Sequence, residues 1–468
     1  MARPRKRRRA ADSKGKAIPT RDELFAQGKG LRERCPRRSH GDWRPARHRP
    51  DPIALLEDSN KGRMPELIPI RWGRMLQSPF TFFRGAAAVM AADLSKTPAT
   101  GLRVQACGDC HLLNFGGFAT AERRLLFDIN DFDETLPAPW EWDVKRLAAS
   151  FVIAARHNGF GKGDIRDATE ACVRGYRKRM IDCAGQRTLE VWYSAIEAHE
   201  LIDELGDAES RKRFRKRLAK AEQRDVLEDD YPKMVADGGA RPSIRENPPL
   251  IYHWPHLKTG FGPLQKVVDG YRTSLSEDRR LLFDRYQLQD TAAKVVGVGS
   301  VGTRCAIALF TAGADDPLFL QVKEARHSVL EPYAGAARYT NQGQRVVIGQ
   351  RIMQASSDLF LGWTVGMLGH HFYVRQLRDM KVKPLTELFT PSTMRDYAKF
   401  CGWTLAQAHA RSGSPALIGG YLGKSQAFDE ALTDFAVAYA DQNERDWQAL
   451  KKAVRDGRIK VQTESSEG

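Results

Sequence analysis

The chain has 468 residues, 42% of them hydrophobic and 28% charged. That composition excludes a globally disordered protein, and the length predicts two or three domains or one large two-lobed one. No apolar run approaches the roughly eighteen residues of a membrane-spanning helix. Of the formal net charge of +16, +12 lies in residues 1–50, which hold 17 basic and five acidic residues, so the remaining body is nearly balanced.

Residues 1–50 therefore read as a basic disordered arm, attracted weakly to nucleic acid or other anionic surfaces. No apolar segment follows its arginines, so a secretory leader is not expected. The seven cysteines, Cys35, Cys107, Cys110, Cys172, Cys183, Cys305 and Cys401, are scattered and odd in number. They fit reduced thiols and a cytoplasmic protein.

In residues 51–160, Phe82 to Leu94 predicts one short helix. Leu102 to Ala106 and Arg124 to Ile129 predict strands, with a glycine-punctuated loop from Cys107 to Gly117 and turns from Asn130 to Pro139. Asp143 to Arg156 carries a helical apolar face, with Asp143 as its N-cap. Residues 161–289 read as a helical connecting region, and the Pro/Gly-rich stretch 238–260 marks a boundary. In residues 290–380, Lys294 to Val298, Cys305 to Thr311, Leu318 to Lys323, Val346 to Met353 and Phe372 to Leu377 are strand-like, which predicts a mostly antiparallel sheet. Residues 381–468 return to helix.

Two constellations carry chemistry. The loop Cys-Gly-Asp-Cys-His-Leu-Leu-Asn places Asp109 five residues before Asn114, with His111 between. Phosphoryl transfer needs such a pair: an acid to orient the incoming hydroxyl or accept its proton, and an amide oxygen to ligate Mg²⁺. Further hard oxygen ligands for that metal follow at Asp128, Asp131 and Asp133. Cys107 to His111 is also a literal C-x-x-C-H, but haem attachment needs an oxidising setting, and zinc needs a second Cys/His pair.

The second constellation is Gly297, Gly299 and Gly302, a G-x-G-x-x-G between apolar segments, which lets backbone amides approach phosphate. Lys323 closes a later strand and needs a buried partner. An ATP phosphate and a carboxylate are the expected ones, with Glu331 as candidate and Glu324 as second choice. A Rossmann turn, with Thr303 to Thr311 as its helix, is the competing reading. A β-hairpin suits the short Cys-Ala-Ile-Ala-Leu-Phe run better.

These motifs resemble the protein-kinase-like superfamily, in particular the aminoglycoside and choline-type small-molecule kinases. Their catalytic loop has the form His-Gly-Asp-x-His-x-x-Asn, and Cys107 stands where the first His would be. Asp131-Phe132 resembles their metal-binding pair, and Trp142-Asp143 resembles the start of their loop-bracing helix. From about residue 60 to 455 the chain also resembles the bacterial domain-of-unknown-function family numbered 2252, through FTFFRG, GDCHLLNFGGF, NDFDET, VGVGSVGTRC, NQGQRVVIGQR and FYVRQLRD. The kinase resemblance comes in inverted order, because Asp109 and Asp131 precede the glycine loop and Lys323. It implies an α+β, two-lobed, circularly permuted fold, with a small antiparallel-sheet lobe and a larger helical lobe. It further implies an ATP- and Mg²⁺-dependent phosphotransferase acting on a hydroxyl of a small-molecule acceptor. A pseudokinase-like nucleotide-binding module and an NAD(P)-dependent oxidoreductase are the alternatives.

Overall fold

The computed structural model describes residues 18–223, 226–236, 241–254, 262–295, 297–313, 316–377 and 380–462. Most of the basic arm's first arginines, and parts of the 238–260 boundary, lie outside the described residues. The protein is a mixed α and β structure in which helices outweigh strands.

Four short strands frame the acidic loops. They are β1 (Arg103–Ala106), β2 (Phe115–Ala119), β3 (Leu125–Ile129) and β4 (Leu136–Pro139), paired antiparallel as β1 with β4 and β2 with β3. The two-residue strands β5 (Val235–Ala236) and β6 (Ser243–Ile244) pair with each other. The main sheet holds β7 (Ile251–Tyr252), β8 (Gln287–Lys294), β9 (Cys305–Thr311), β10 (Pro317–Glu324), β11 (Gly362–Val365) and β12 (His371–Gln376). Its order is β11-β12-β10-β9-β8-β7, antiparallel throughout. The segment after the glycine loop is thus a central strand. It is not the helix that a Rossmann turn requires.

Strand β10 puts Lys323 opposite Cys305 on one side and Tyr373 on the other. Leu318, Leu320, Ala308, Phe310 and Val374 pack with Tyr271, Leu275 and Phe283 to form one apolar layer of the sheet. The helix Gln342–Met353 lies between β10 and β11. The sequence reading placed a strand over Val346 to Met353, and the structure corrects it. Asn341 caps the helix by accepting from the Gln344 amide. Gln344, Ile348, Arg351 and Ile352 form its more exposed side, and the apolar run Val346-Val347-Ile348 crosses from the buried side onto it, so the run itself carries no helical stripe.

The helical body is built on Trp140–His157, Lys162–Gly185, Pro391–Ser412 and Ala427–Arg455. Thr390 accepts from the Thr393 amide and Pro391 occupies the first turn, so the third of these starts where proline costs nothing. The predicted helix over Phe82 to Leu94 is two, Pro79–Gly85 and Ala87–Leu94, broken at Ala86 (φ −107°, ψ 31°). Residues 18–50 also differ from the disordered arm expected. Thr20 and Glu23 form a capping box for the helix Arg21–Gly30. Arg32, Arg37 and Arg49 are spent on the carbonyls of Gly420, Tyr421 and Leu422 and on the carboxylates of Asp93 and Asp446. Composition alone counts such arginines as solvated. Among the described residues, no helix is long and apolar enough to cross a membrane.

Candidate functional site

The Cys107–Asn114 loop follows β1 and is held from behind. Asp143 lies in the first turn of the helix Trp140–His157, three residues past the start, so it does not cap that helix. Its carboxylate instead accepts the amides of Cys107 (2.6 Å) and Gly108 (2.9 Å). His409 Nε2 contacts the same carboxylate at 3.2 Å, and the Tyr176 hydroxyl lies 2.9 Å from His409 Nδ1. Gly108 has φ +84°, and a side chain there would begin 2.4 Å from the Glu134 carbonyl oxygen. Only glycine lets the two acidic loops approach so closely.

Asp109 is held by Arg146. The guanidinium Nε donates to Oδ1 at 2.8 Å, and a second nitrogen of the same group reaches that oxygen. Arg146 is buried over the Phe83 ring, 4.3 Å from its centroid. Sequence reasoning missed this residue. It stands among the charged residues Glu141, Asp143 and Lys145 at the start of the helix, so nothing in the local sequence singles it out. His111 is 4% exposed, and its Nε2 stands 4.0 Å from Asp109 Oδ2. Burial, reinforced by the charges of Arg84 and Arg146, holds its pKa well below the ordinary value, so the ring is neutral. Asn114 donates its Nδ2 to the Asp109 carbonyl at 2.6 Å, which leaves its amide oxygen as the uncommitted acceptor.

The second constellation reaches the first. Lys323 is 3% exposed. It is ion-paired with Asp133 and stands 3.8 Å from Asp131 Oδ1. Ser300 Oγ in the glycine loop donates to Asp133 Oδ2 at 3.1 Å, and the Tyr373 hydroxyl donates to Oδ1 at 2.7 Å. Burial alone would raise the Asp133 carboxyl. The Lys323 charge, the hydrogen bonds from Lys323 and Tyr373 and the Arg375 charge outweigh it and carry the group below its usual range. Asp131 goes the other way, raised by burial and by the neighbouring Asp133 charge. Burial disfavours the Lys323 ammonium, but the two carboxylates overcome that and raise its pKa. Gly297 and Gly302 have φ +66° and +85°. The loop they bend is tied down by Met64 N to Gly302 O (2.8 Å), Arg63 to Val301 O (2.6 Å) and Arg74 to Gly297 O.

Asp109, His111, Asn114, Asp131, Asp133, Gly297, Gly299 and Ser300 line one polar cavity of about 260 Å³. Four expected residues are not in its lining: Gly302, at the end of the glycine loop, Lys323, which stands behind Asp133, and Asp128 and Glu331, which are placed elsewhere. Asp128 is buried behind the loop, where it accepts the amides of Ile129 (2.8 Å) and Ala355 (3.0 Å), and burial raises its pKa. It braces the β2–β3 hairpin against the segment that follows the helix Gln342–Met353 and does not line the cavity with Asp131 and Asp133. Glu331, at the start of the short helix Glu331–Ala334, pairs with His327 at 2.9 Å and does not meet Lys323. Glu324 is taken by Arg304 and His370. The partners of Lys323 are the acidic pair itself.

Among the described residues no three His, Cys, Asp or Glu side chains converge as a metal cage. A Mg²⁺ ion bound together with phosphates needs only one or two carboxylates. Asp131, Asp133 and the Asn114 amide oxygen are hard donors of that kind, so the residues present fit the ion. Cys107 and Cys110 are fully buried, with Cys107 Sγ on the Asp131 carbonyl at 3.3 Å. Burial pushes the Cys110 thiol up to about 12. These thiols pack the loop and face no ligand-sized space.

Fold and site together define a mixed α/β protein with an acidic loop pair and a glycine loop joined through one buried lysine. The chain belongs to the bacterial family described as an uncharacterized protein conserved in bacteria, DUF2252, whose model matches residues 63–453. No curated protein and no solved structure matches the chain.

Proposed function

We propose that this protein is an ATP- and Mg²⁺-dependent phosphotransferase acting on a hydroxyl of a small-molecule acceptor, built on a two-lobed kinase-like fold in circularly permuted order. One observation carries the reading. Asp131 and Asp133 meet Lys323 and Ser300 in space, although the two motifs lie far apart in sequence. A kinase-like site needs that convergence, whatever the chain order, because only the three-dimensional constellation matters for chemistry.

The topology supports the permutation. Strand β10 with its lysine, the helix Gln342–Met353, β11 and β12 run in the order that a kinase's small lobe uses. The helix Pro391–Ser412 then packs under the Asp109 loop, where the Tyr397 hydroxyl donates to the Leu112 carbonyl at 2.7 Å. A Mg²⁺-bound nucleotide would supply the phosphoryl group and neutralise its charge. Asp131, Asp133 and Asn114 would hold the ion, and Lys323 with the glycine-loop amides would hold phosphates. Arg146 fixes Asp109 through Oδ1 and leaves Oδ2 to orient the acceptor hydroxyl and take its proton.

The test is transfer of label from γ-labelled ATP to a mixture of small hydroxyl compounds, with wild type and Asp109→Asn. The expected outcome is label transfer by wild type, reduced at least a hundredfold in Asp109→Asn, with nucleotide affinity unchanged. Nucleotide binding without transfer to any acceptor would favour the pseudokinase-like module instead.

A further inference from the structure

The helix Pro79–Gly85 ends on Arg84 and Gly85, and the helix Ala87–Leu94 begins just after the bend at Ala86. This second helix has no side-chain cap. Ala87 and Ala88, which carry its first amides, line the same cavity as Asp109. Three side-chain nitrogens of residues lining that cavity are buried with no hydrogen-bond partner: Nε of Arg71, Nε of Arg84 and Nδ1 of His111. Arg71 and His111 are 1% and 4% exposed.

Buried polar groups are rarely left unpaired. Three in the wall of one cavity, beside an uncapped helix start, mark a place built to receive acceptor atoms, which for the neutral His111 requires the ring proton on Nδ1. Arg71 spends its two terminal nitrogens on Asn60 Oδ1 (2.5 Å) and the Gly85 carbonyl (3.0 Å), much as Arg63 and Arg326 are committed to the carbonyls of Val301 and Ser59, so Arg71 offers the cavity its Nε alone. Arginine nitrogens and helix N-terminal amides favour an oxyanion. With this many donors, a three-oxygen phosphate suits the site better than a carboxylate.

The place of this site in the cavity decides whose phosphate it takes. The Arg84 charge acts on both Asp109 and Asp131. A side chain on Gly299 would begin 3.3 Å from the Arg84 carbonyl oxygen, so this segment lies against the glycine loop. Lys323 and Ser300 already serve the Asp133 side of the cavity. We infer that Arg84, Arg71, His111 and the start of the helix Ala87–Leu94 bind a phosphate group carried by the acceptor. The substrate class would then be a small phosphorylated alcohol. The word acceptor rests on the phosphotransferase reading, whereas the anion site itself does not.

Calorimetric titration with inorganic phosphate tests this on the full chain, for wild type, Arg84→Gln and Arg84→Lys. Circular dichroism checks that each variant folds. Wild type should bind phosphate, Arg84→Gln at least tenfold more weakly, and Arg84→Lys, which keeps the charge but loses the fork, should fall between them. If Arg84→Gln does not fold, Arg84→Lys decides alone. Saturation with a Mg²⁺-bound non-hydrolysable ATP analogue should leave phosphate affinity within threefold. No binding by wild type, or equal binding by the Arg84 variants, overturns the site. Competition by the analogue overturns its assignment to the acceptor. If the analogue does not bind at all, the phosphotransferase reading fails while the phosphate isotherms still decide the anion site.

Discussion

His40 is 1% exposed, packed edge-on to the Tyr421 and Phe428 rings, with Nε2 2.7 Å from the Tyr421 hydroxyl. Burial, aided by the Lys145 charge, pushes its pKa down to about 2. The folded state therefore binds its proton far less readily than the unfolded chain, whose histidine titrates near about 6.5. Its contribution to stability is full above that value and is lost as pH falls from about 6.5 toward about 2, by up to about 1.4 kcal/mol per pH unit. In urea unfolding, His40→Gln should lose less stability than wild type between pH 6.5 and 5, and parallel losses would contradict the assignment. Site residues were legible at this scale where a motif spelled them out, as with Asp109, Asn114, Asp131 and Lys323. Arg146 and Tyr373 were not legible. Each matters through a partner distant in sequence, and neither stands in a recognisable pattern of its own.

A close crossing joins the helices Lys162–Gly185 and Pro391–Ser412. A side chain on Gly402 would begin 2.0 Å from the Cys172 carbonyl oxygen, and one on Gly175 would begin 2.6 Å from that of Lys399. Gly402→Ala should therefore cost about 2 kcal/mol or more through overpacking. Gly163→Ala, in the first of these helices with nothing within 4 Å, should be neutral or stabilising. Chemical denaturation of both variants checks this, and equal effects would show that the crossing can relax. The crossing also positions the site, because the Pro391–Ser412 helix carries His409 and Tyr397 to the Asp109 loop. Strands β9 and β10 were legible as elements, since the turn-forming sequence Gly-Ala-Asp-Asp-Pro separates two β-rich runs. The helix Gln342–Met353 was not, because its buried β-branched run looks the same in either state. Within residues 18–50, the order comes from arginines that find carbonyls and carboxylates far along the chain, which charge counting cannot see.

Across the whole molecule, the two halves of the cavity come from stretches far apart in the family-matched region, one ending near Glu134 and the other beginning at Gly297. Asp133 and Ser300 share a hydrogen bond at 3.1 Å although 167 positions separate them. The sequence held both motifs, but their convergence depends on how β10 docks against the turn after β3, which no local pattern encodes. The partner of Lys323 was misassigned for the same reason. Glu331 was near in sequence, whereas the acidic pair is near in space. The central claim is that these motifs form one nucleotide site. The most direct measurement is a thermal-shift titration with Mg²⁺-ATP, set against NAD⁺, on wild type, Lys323→Ala and Asp131→Asn. At about a hundred times its dissociation constant, a ligand stabilises by about 2.7 kcal/mol. The account predicts that shift for wild type with Mg²⁺-ATP and its loss in both variants, each compared with its own unliganded melting point. Stabilisation by NAD⁺ but not by Mg²⁺-ATP, or a Mg²⁺-ATP shift that survives either substitution, would contradict it.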